Sequence, residues 1–532
     1  MSVQPKHPSA TDSVDVAHPQ ANKKTKAVVG RTALRQALPA VAAHLFKKPP
    51  EPTWPVSLSI TTRVSRAGIT TANKRFEKAL PQNREELIRQ IRECRFIDPL
   101  SSCAPDETRG GTVLGHSIKV TRRPQEGVLK EPAQRETGER ILRGEWCIAE
   151  WLLDPVGPPP RPQVILHLHG GAHVVQDLET YRGYNANVSM MTRCRVYAID
   201  YRLAPEAVFP DSLLDAMHAY YYLTEEVGIP PGDVIVSGDS AGGTIAIQLV
   251  MYLRDHGYPQ VGGVMLLSPW LDLTTSFGSW KENSGRDFLT IGEADEPLHP
   301  PRLYVSAVWP PTPESMREFH EKVVHPYVSP ALAPLEALRD FPPILVHTGG
   351  CERLRDEQTV FVRRARLADS NNMISHQLWV DGVHVFASMQ STRAGASAQR
   401  EVGKWMQTMC DRRPATGSPE ATWAHELDEA VTTERRGRIS RAGQIKPFAK
   451  ASRKWTYEGH LERWPDIQVK PDGKKEAFAA ATEANLVEGD RAVTEVFRPI
   501  RMKRAQRHQR DRDMRDMQDK SSGPPYKGHA SG

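Results

Sequence analysis

The chain has 532 residues, 25% of them charged and 39% hydrophobic, with a formal net charge of +6. That length suits one large domain with extensions or two to three average ones, and a mild basic excess matters only where it is clustered. The six cysteines, Cys94, Cys103, Cys147, Cys194, Cys351 and Cys410, are scattered without a CxxC pair, which argues against a disulfide framework and for reduced thiols.

Met1 to Gln20 is polar, carries Asp12 and Asp15 and has no apolar run, so no secretory signal is expected. No stretch approaches the roughly 18–20 apolar residues of a membrane span. The expectation is a soluble cytoplasmic protein, with peripheral contact to membranes or lipid droplets left open.

Residues 1–53 are rich in Pro, Ser, Ala and Lys and read as a disordered or partly helical extension. Leu34, Leu38, Val41 and Leu45 share one face of a short helix among Arg31, Arg35, Lys47 and Lys48, and Pro39 is expected to kink it or confine it to a first turn. Such a patch suits either packing on its own domain or a membrane surface. Residues 54–111 read as a helical cap segment. Asn83 and Glu86 have the spacing of a reciprocal capping box, and Leu87, Ile88 and Ile91 then share a face.

From 112 to 410 short β-rich runs alternate with helical stretches. Strands are predicted at Thr112–Val120, Trp146–Leu153, Val164–Leu168, Val196–Ile199, Val234–Ser237, Val264–Leu267, Ile344–His347 and His376–Val380, and helices at Asp211–Thr224 and Thr244–Asp255. This alternation implies an α/β fold, a mostly parallel sheet with helices on both faces, its first two strands able to form an antiparallel edge. The Pro- and Trp-rich segment 274–328 breaks the pattern and is expected to cap the site. Residues 411–532 read as a basic, largely disordered tail, with clusters at Arg435–Lys454 and Arg501–Arg515. Weak contact of such tails with an anionic membrane surface is conceivable in charge terms; no nucleic-acid motif accompanies them, so no specific nucleic-acid binding is expected.

The chemistry-bearing run is Gly238-Asp239-Ser240-Ala241-Gly242-Gly243, placed between an apolar strand and a helix. A strand-to-helix turn tight enough to project a serine needs small residues two positions to either side. His169-Gly170-Gly171-Ala172 follows the strand Val164–Leu168 and offers backbone N–H groups for an oxyanion, with Gly170, Gly171 and Ala241 as the expected donors. A base and an acid must come later in the chain. His384, on the loop after the last strand, is the base candidate. Glu352 and Asp356 compete as the acid; Glu352 is favoured because it lies nearer its strand end, whereas Asp356 suits a helix cap or a structural ion pair.

These residues, with Asp200-Tyr201-Arg202-Leu203-Ala204-Pro205-Glu206, Ser268-Pro269-Trp270-Leu271-Asp272-Leu273, Leu354-Arg355-Asp356-Glu357 and His384-Val385-Phe386, resemble the hormone-sensitive-lipase-like family of α/β hydrolases, especially its fungal members. The resemblance implies an α/β-hydrolase fold with a helical cap, ester hydrolysis through an acyl-enzyme, and no cofactor or metal. Three departures stand out: Ala172 replaces a third glycine, His173 and Gln176 make the pocket entrance more polar than usual, and Glu352 stands where an aspartate is customary.

The expected function is a serine carboxylic-ester hydrolase, an esterase, lipase or deacetylase, acting on a small-molecule or lipid-like ester. A non-catalytic ligand-binding protein on the same scaffold and an amidase are the alternatives. Trp280, Phe288, Trp309 and Phe319 either line the pocket or pack the cap, packing being the default for scattered aromatics.

Overall fold

Five apolar runs, Val164–Leu168, Arg195–Ile199, Val234–Asp239, Gly263–Leu267 and Ile344–Gly349, are buried over their whole length. Strands buried on both faces need cover on both sides, and the side chains sort accordingly. Leu166, Val236, Leu266 and Val346 face one core with Leu214, Ile245, Leu249 and Phe361. Their neighbours Ile165, Ile235, Met265 and Leu345 face a second core with Val188, Val402, Trp405 and Met406. Each fully buried aliphatic side chain contributes about 1.5–3 kcal/mol to this arrangement.

The computed structural model describes residues 23–46, 49, 51, 53–95, 111–153, 159–306, 308–389, 392–412, 467–469 and 475–477. In chain order its main elements are α1 (Lys23–Phe46), α2 (Val56–Lys78), α3 (Arg84–Arg95), β1 (Gly111–Lys119), α4 (Lys130–Arg135), β2 (Ile141–Ala149), β3 (Val164–Leu168), α5 (Leu178–Thr192), β4 (Arg195–Ile199), α6 (Asp211–Tyr221), β5 (Val234–Asp239) and α7 (Ser240–Asp255). There follow β6 (Gly263–Leu267), α8 (Ser279–Glu282), α9 (Pro300–Val305), α10 (Pro313–Lys322), β7 (Ile344–Gly349), α11 (Arg355–Ala368), β8 (Ile374–Trp379), α12 (Arg393–Arg412), β9 (Ile467–Val469) and β10 (Lys475–Ala477). The sheet order is β1-β2-β4-β3-β5-β6-β7-β8-β9-β10. β1 and β2 are antiparallel to each other, the expected edge, although the short helix α4 does lie between them, and β2 is antiparallel to β4. From β4 to β9 every pairing is parallel. This is the α/β-hydrolase architecture.

Several local expectations change. α1 runs through Pro39 as one helix, and Arg63 of α2 donates a 3.1 Å hydrogen bond to the Pro39 carbonyl. The Asn83 side chain caps α3 by accepting from Glu86 N, but Glu86 reaches back to the N–H of Gln82, not of Asn83, so the box is shifted by one residue. α7 starts at Ser240 itself, four residues before the predicted helix. Within the segment read as a basic tail, Ile467–Val469 and Lys475–Ala477 form an antiparallel pair, and Ile467–Val469 runs parallel to Gln377–Trp379. The clusters Arg435–Lys454 and Arg501–Arg515 and the first 22 residues lie outside the described residues. Cys147, Cys194, Cys351 and Cys410 are free thiols. Among the described residues no helix is long and apolar enough to cross a membrane.

The segments expected to form a cap are anchored by one cluster that joins three parts of the chain. Phe76 of α2 and Leu87 and Ile91 of α3 pack with Leu303 and Trp309 of the insertion and with Val174 beside the glycine-rich loop. The Asp200–Glu206 motif ties this cap to the sheet. Arg202 holds the fully buried Asp215 carboxylate at 2.9 Å, Glu206 pairs with Arg92 of α3 at 2.7 Å, and Arg84 donates to Pro205 O.

Gly242, in the first turn of α7, passes so close to the end of β3 that a Cβ there would lie 2.0 Å from Leu168 O and 2.5 Å from His169 O. Both obstacles are backbone, so neither can swing away. We expect Gly242→Ala to destabilise the protein by more than the ~1–3 kcal/mol of ordinary overpacking; thermal unfolding of the variant measures it, and a melting temperature equal to the parent's would refute this account of the turn.

Candidate active site

β5 ends at the centre of the sheet, and the turn into α7 leaves Ser240 with φ +49°. A non-glycine residue in this left-handed region carries strain of about 1–2 kcal/mol, so the surroundings must hold it there. The flanking glycines make room, since a Cβ at Gly238 would meet Gly242 O at 2.3 Å. The Ser240 carbonyl is pinned by Trp270 N at 2.9 Å.

Three parallel strands deliver the polar groups. Ser240 Oγ lies 2.9 Å from His384 Nε2, and His384 Nδ1 lies 3.0 Å from Glu352 Oε2. Glu352 is fully buried on the loop after β7, and its Oε1 accepts the Gly349 N–H at 2.6 Å. The second oxygen is thereby anchored, and the longer glutamate arm presents the first to the imidazole. The two loops are laced together by Gly350 N to Trp379 O at 2.7 Å and Cys351 N to Gly382 O at 2.8 Å. Burial by itself lowers the His384 imidazole, but the hydrogen bond and charge of Glu352, with Asp287 and Asp239 behind it, overcome this and hold it above its ordinary value. A hydroxyl so placed can lose its proton to the ring as it attacks an electrophile.

Asp356 does not reach His384. In the first turn of α11 it pairs with Arg355 at 2.8 Å and accepts the Ser279 N–H at 2.8 Å.

The expected oxyanion donors are not all available. Gly170 N–H donates to Asp239 Oδ1 at 3.0 Å and lies 3.1 Å from Tyr181 OH, and Gly170 does not line the cavity at Ser240. Gly171 and Ala172 do line it. The reason is Asp239, whose carboxylate turns back onto the loop; burial pushes it up to about 6, against the stabilising Tyr181 hydroxyl, His384 and Gly170 N–H. Ala241 N–H follows the serine at the start of α7. The loop is unusually contorted: Gly171, Ala172, His173 and Gln176 all have positive φ, of 109°, 54°, 62° and 79°.

Gln176 lines the cavity, but His173 does not and adds no polarity there. Its ring stacks on Tyr304 at 3.7 Å, and burial drives its titration down to about 3. The cavity, about 210 Å³, is walled by Ile69, Ile91, Trp280, Phe288, Leu289 and Leu298, among others. Trp280 and Phe288 are therefore wall residues. Trp309 packs in the cap cluster with its indole N–H on Pro81 O, and Phe319 packs with Trp270 and Val328.

Two residues of the insertion escaped the sequence reading. Asn283 Nδ2 donates to Glu352 O at 2.8 Å and Gly350 O at 3.2 Å. Asp287, fully buried, accepts Arg353 N at 2.7 Å and His384 N at 3.4 Å. The segment expected to cap the site thus also braces both loops. Nothing in the sequence could announce this, because both side chains act on backbone groups far along the chain.

A family profile described as "alpha/beta hydrolase fold" matches residues 165–388. An acetyl-hydrolase of Streptomyces hygroscopicus is 31% identical over 304 residues, 57% of this chain and 88% of that protein. Esterase LipI of Mycobacterium tuberculosis is 32% identical over 277 residues, 49% of this chain and 79% of that protein. Hormone-sensitive lipase of Mus musculus is 30% identical over 151 residues, 28% of this chain and 20% of the mouse protein. On the fold, the strand–turn–helix at Ser240 and these relatives together, the chain belongs to the alpha/beta hydrolase fold family.

Proposed function

We propose that the protein is a serine carboxylic-ester hydrolase working through an acyl-enzyme on Ser240, with His384 as general base and Glu352 as its orienting acid. The observation that carries this reading is the continuous hydrogen-bonded line from Ser240 Oγ through the His384 ring to a buried carboxylate. In this scheme Ser240 Oγ attacks the ester carbonyl while His384 Nε2 takes its proton. The carbonyl oxygen, now anionic, accepts hydrogen bonds from the N–H groups of Gly171, Ala172 and Ala241. The imidazolium returns the proton to the departing alkoxide, the alcohol leaves, and water repeats the sequence on the acyl-enzyme. No cofactor enters any step. The names of the relatives, acetyl-hydrolase, esterase and hormone-sensitive lipase, point to the same bond. The apolar walls favour an ester whose acyl or alcohol part is hydrocarbon, including lipid-like ones. Placement among fungal members of the family rests on the motif resemblance alone.

Ser240→Ala should reduce turnover of a p-nitrophenyl ester by at least about 10³-fold; a purified variant as fast as the parent overturns the assignment. Because His384 must be neutral to accept a proton, and its neighbours raise it above 6.5, kcat/KM should fall on acidification with a midpoint above 6.5. Glu352→Gln removes the principal raising partner, so it should move that midpoint to lower pH and lower kcat by up to about 10⁴-fold. Each methylene added to the acyl chain should raise kcat/KM about fourfold while the cavity fills, on about 0.8 kcal/mol per buried methylene. Ile69→Trp, at the cavity wall, should end that rise at a shorter chain; a chain-length series on parent and variant reads both effects.

A further inference from the structure

One strongly basic segment of this chain lies near its N-terminal end and includes described helices. Residues 16–76 carry eleven lysines and arginines, Lys23, Lys24, Lys26, Arg31, Arg35, Lys47, Lys48, Arg63, Arg66, Lys74 and Arg75, against the single acid Glu51, whereas the net charge of all 532 residues is only +6. This segment contains α1 and nearly all of α2. α1 is the outer helix of the pair. It is fastened to α2 by buried Ala40, by His44 Nδ1 at 2.8 Å from Ser59 Oγ, and by the Arg63–Pro39 hydrogen bond.

Over residues 35–46 the opposite face of α1 is exposed and, apart from Arg35, apolar. Arg35, Leu38, Pro39, Ala42, Leu45 and Phe46 recur every three to four residues and face outward. Leu38 is 70%, Leu45 63% and Phe46 85% exposed. Water is a poor solvent for such a stripe, so its placement calls for another contact. A second copy of this chain is disfavoured as that contact, because pairing α1 with α1 would bring together two helices that each carry five lysines and arginines and no acid. An anionic lipid surface satisfies both features at once: acyl chains receive the apolar stripe, and headgroup phosphates receive the cations.

We propose that α1 is an interfacial helix that docks this protein on anionic phospholipid membranes, with Leu38, Leu45 and Phe46 entering the acyl boundary. α2, directly beneath, turns Ser65, Gly68, Ile69, Ala72 and Asn73 to the cavity at Ser240. Docking therefore sets one wall of that cavity a single helix away from the lipid phase. The inference concerns a surface outside the site and does not depend on the hydrolytic reading.

The test is partition of the full-length protein onto sucrose-loaded vesicles of phosphatidylcholine with and without phosphatidylserine. Vesicles with phosphatidylserine should bind at least about tenfold more protein, and added salt should weaken the binding. L38D/L45D/F46D should lower it at least about tenfold while its thermal unfolding midpoint stays at the parent's, which reports that the variant is folded. Arg435→Gln/Arg436→Gln/Arg438→Gln/Arg441→Gln, in the distant basic cluster, and Ser240→Ala should bind as the parent does. The proposal is overturned if the parent does not bind, if the triple aspartate variant binds equally well, if the distant cluster variant loses binding instead, or if light scattering shows a parent dimer that the triple variant dissolves.

Discussion

Gly242 and the carbonyls of Leu168 and His169 meet with no room for a methyl group between them. This contact brings the end of β3, which carries the glycine-rich loop, against the first turn of α7, which carries Ser240. Gly171, Ala172 and Ser240 line one cavity because two backbones run this close. It also fixes the strain at Ser240: a residue at φ +49° stays there because α7 has nowhere to retreat and Trp270 N holds its carbonyl. The polar partners, by contrast, arrive on loops after β7 and β8, and those loops need bracing of their own.

That bracing comes from the insertion, which gives the segment 274–328 two functions. Its aromatic side chains Trp280 and Phe288 close the cavity, while Asn283 and Asp287 grip the backbone around Glu352 and His384. A buried carboxylate such as Asp287 must find donors, and three backbone N–H groups, of Phe288, Arg353 and His384, supply them. Its charge then acts on the imidazole of His384 in the same direction as that of Glu352. Structure and electrostatics are thus served by one side chain.

The sheet was legible in the sequence because its strands are short apolar runs with two-sided burial, a pattern that survives without knowledge of neighbours. The serine and the histidine were legible because each sits on a tight, glycine-bearing turn after such a run. The Gly170 N–H, expected to face an oxyanion, is taken by Asp239, 69 residues later, and nothing in His169-Gly170-Gly171-Ala172 tells this. His173 looked like a polar pocket residue, yet stacking on Tyr304 turns it into the core. The four aromatics of the insertion divided evenly between wall and packing, a choice made by helices that meet only in three dimensions. In each case the missing information was a contact between distant segments, not a local preference.

β9 lies beside Gln377–Trp379, the last residues before the loop that carries His384. During synthesis, β8 leaves the ribosome well before Ile467 does, with α12 and a long basic stretch made in between. For that interval the sheet ends in a bare row of backbone donors and acceptors, the kind of edge that recruits strands from other chains. The catalytic domain's last edge is thus covered late and from afar, so nascent-chain solubility and the order of synthesis are bound to a three-residue strand that takes no part in the chemistry.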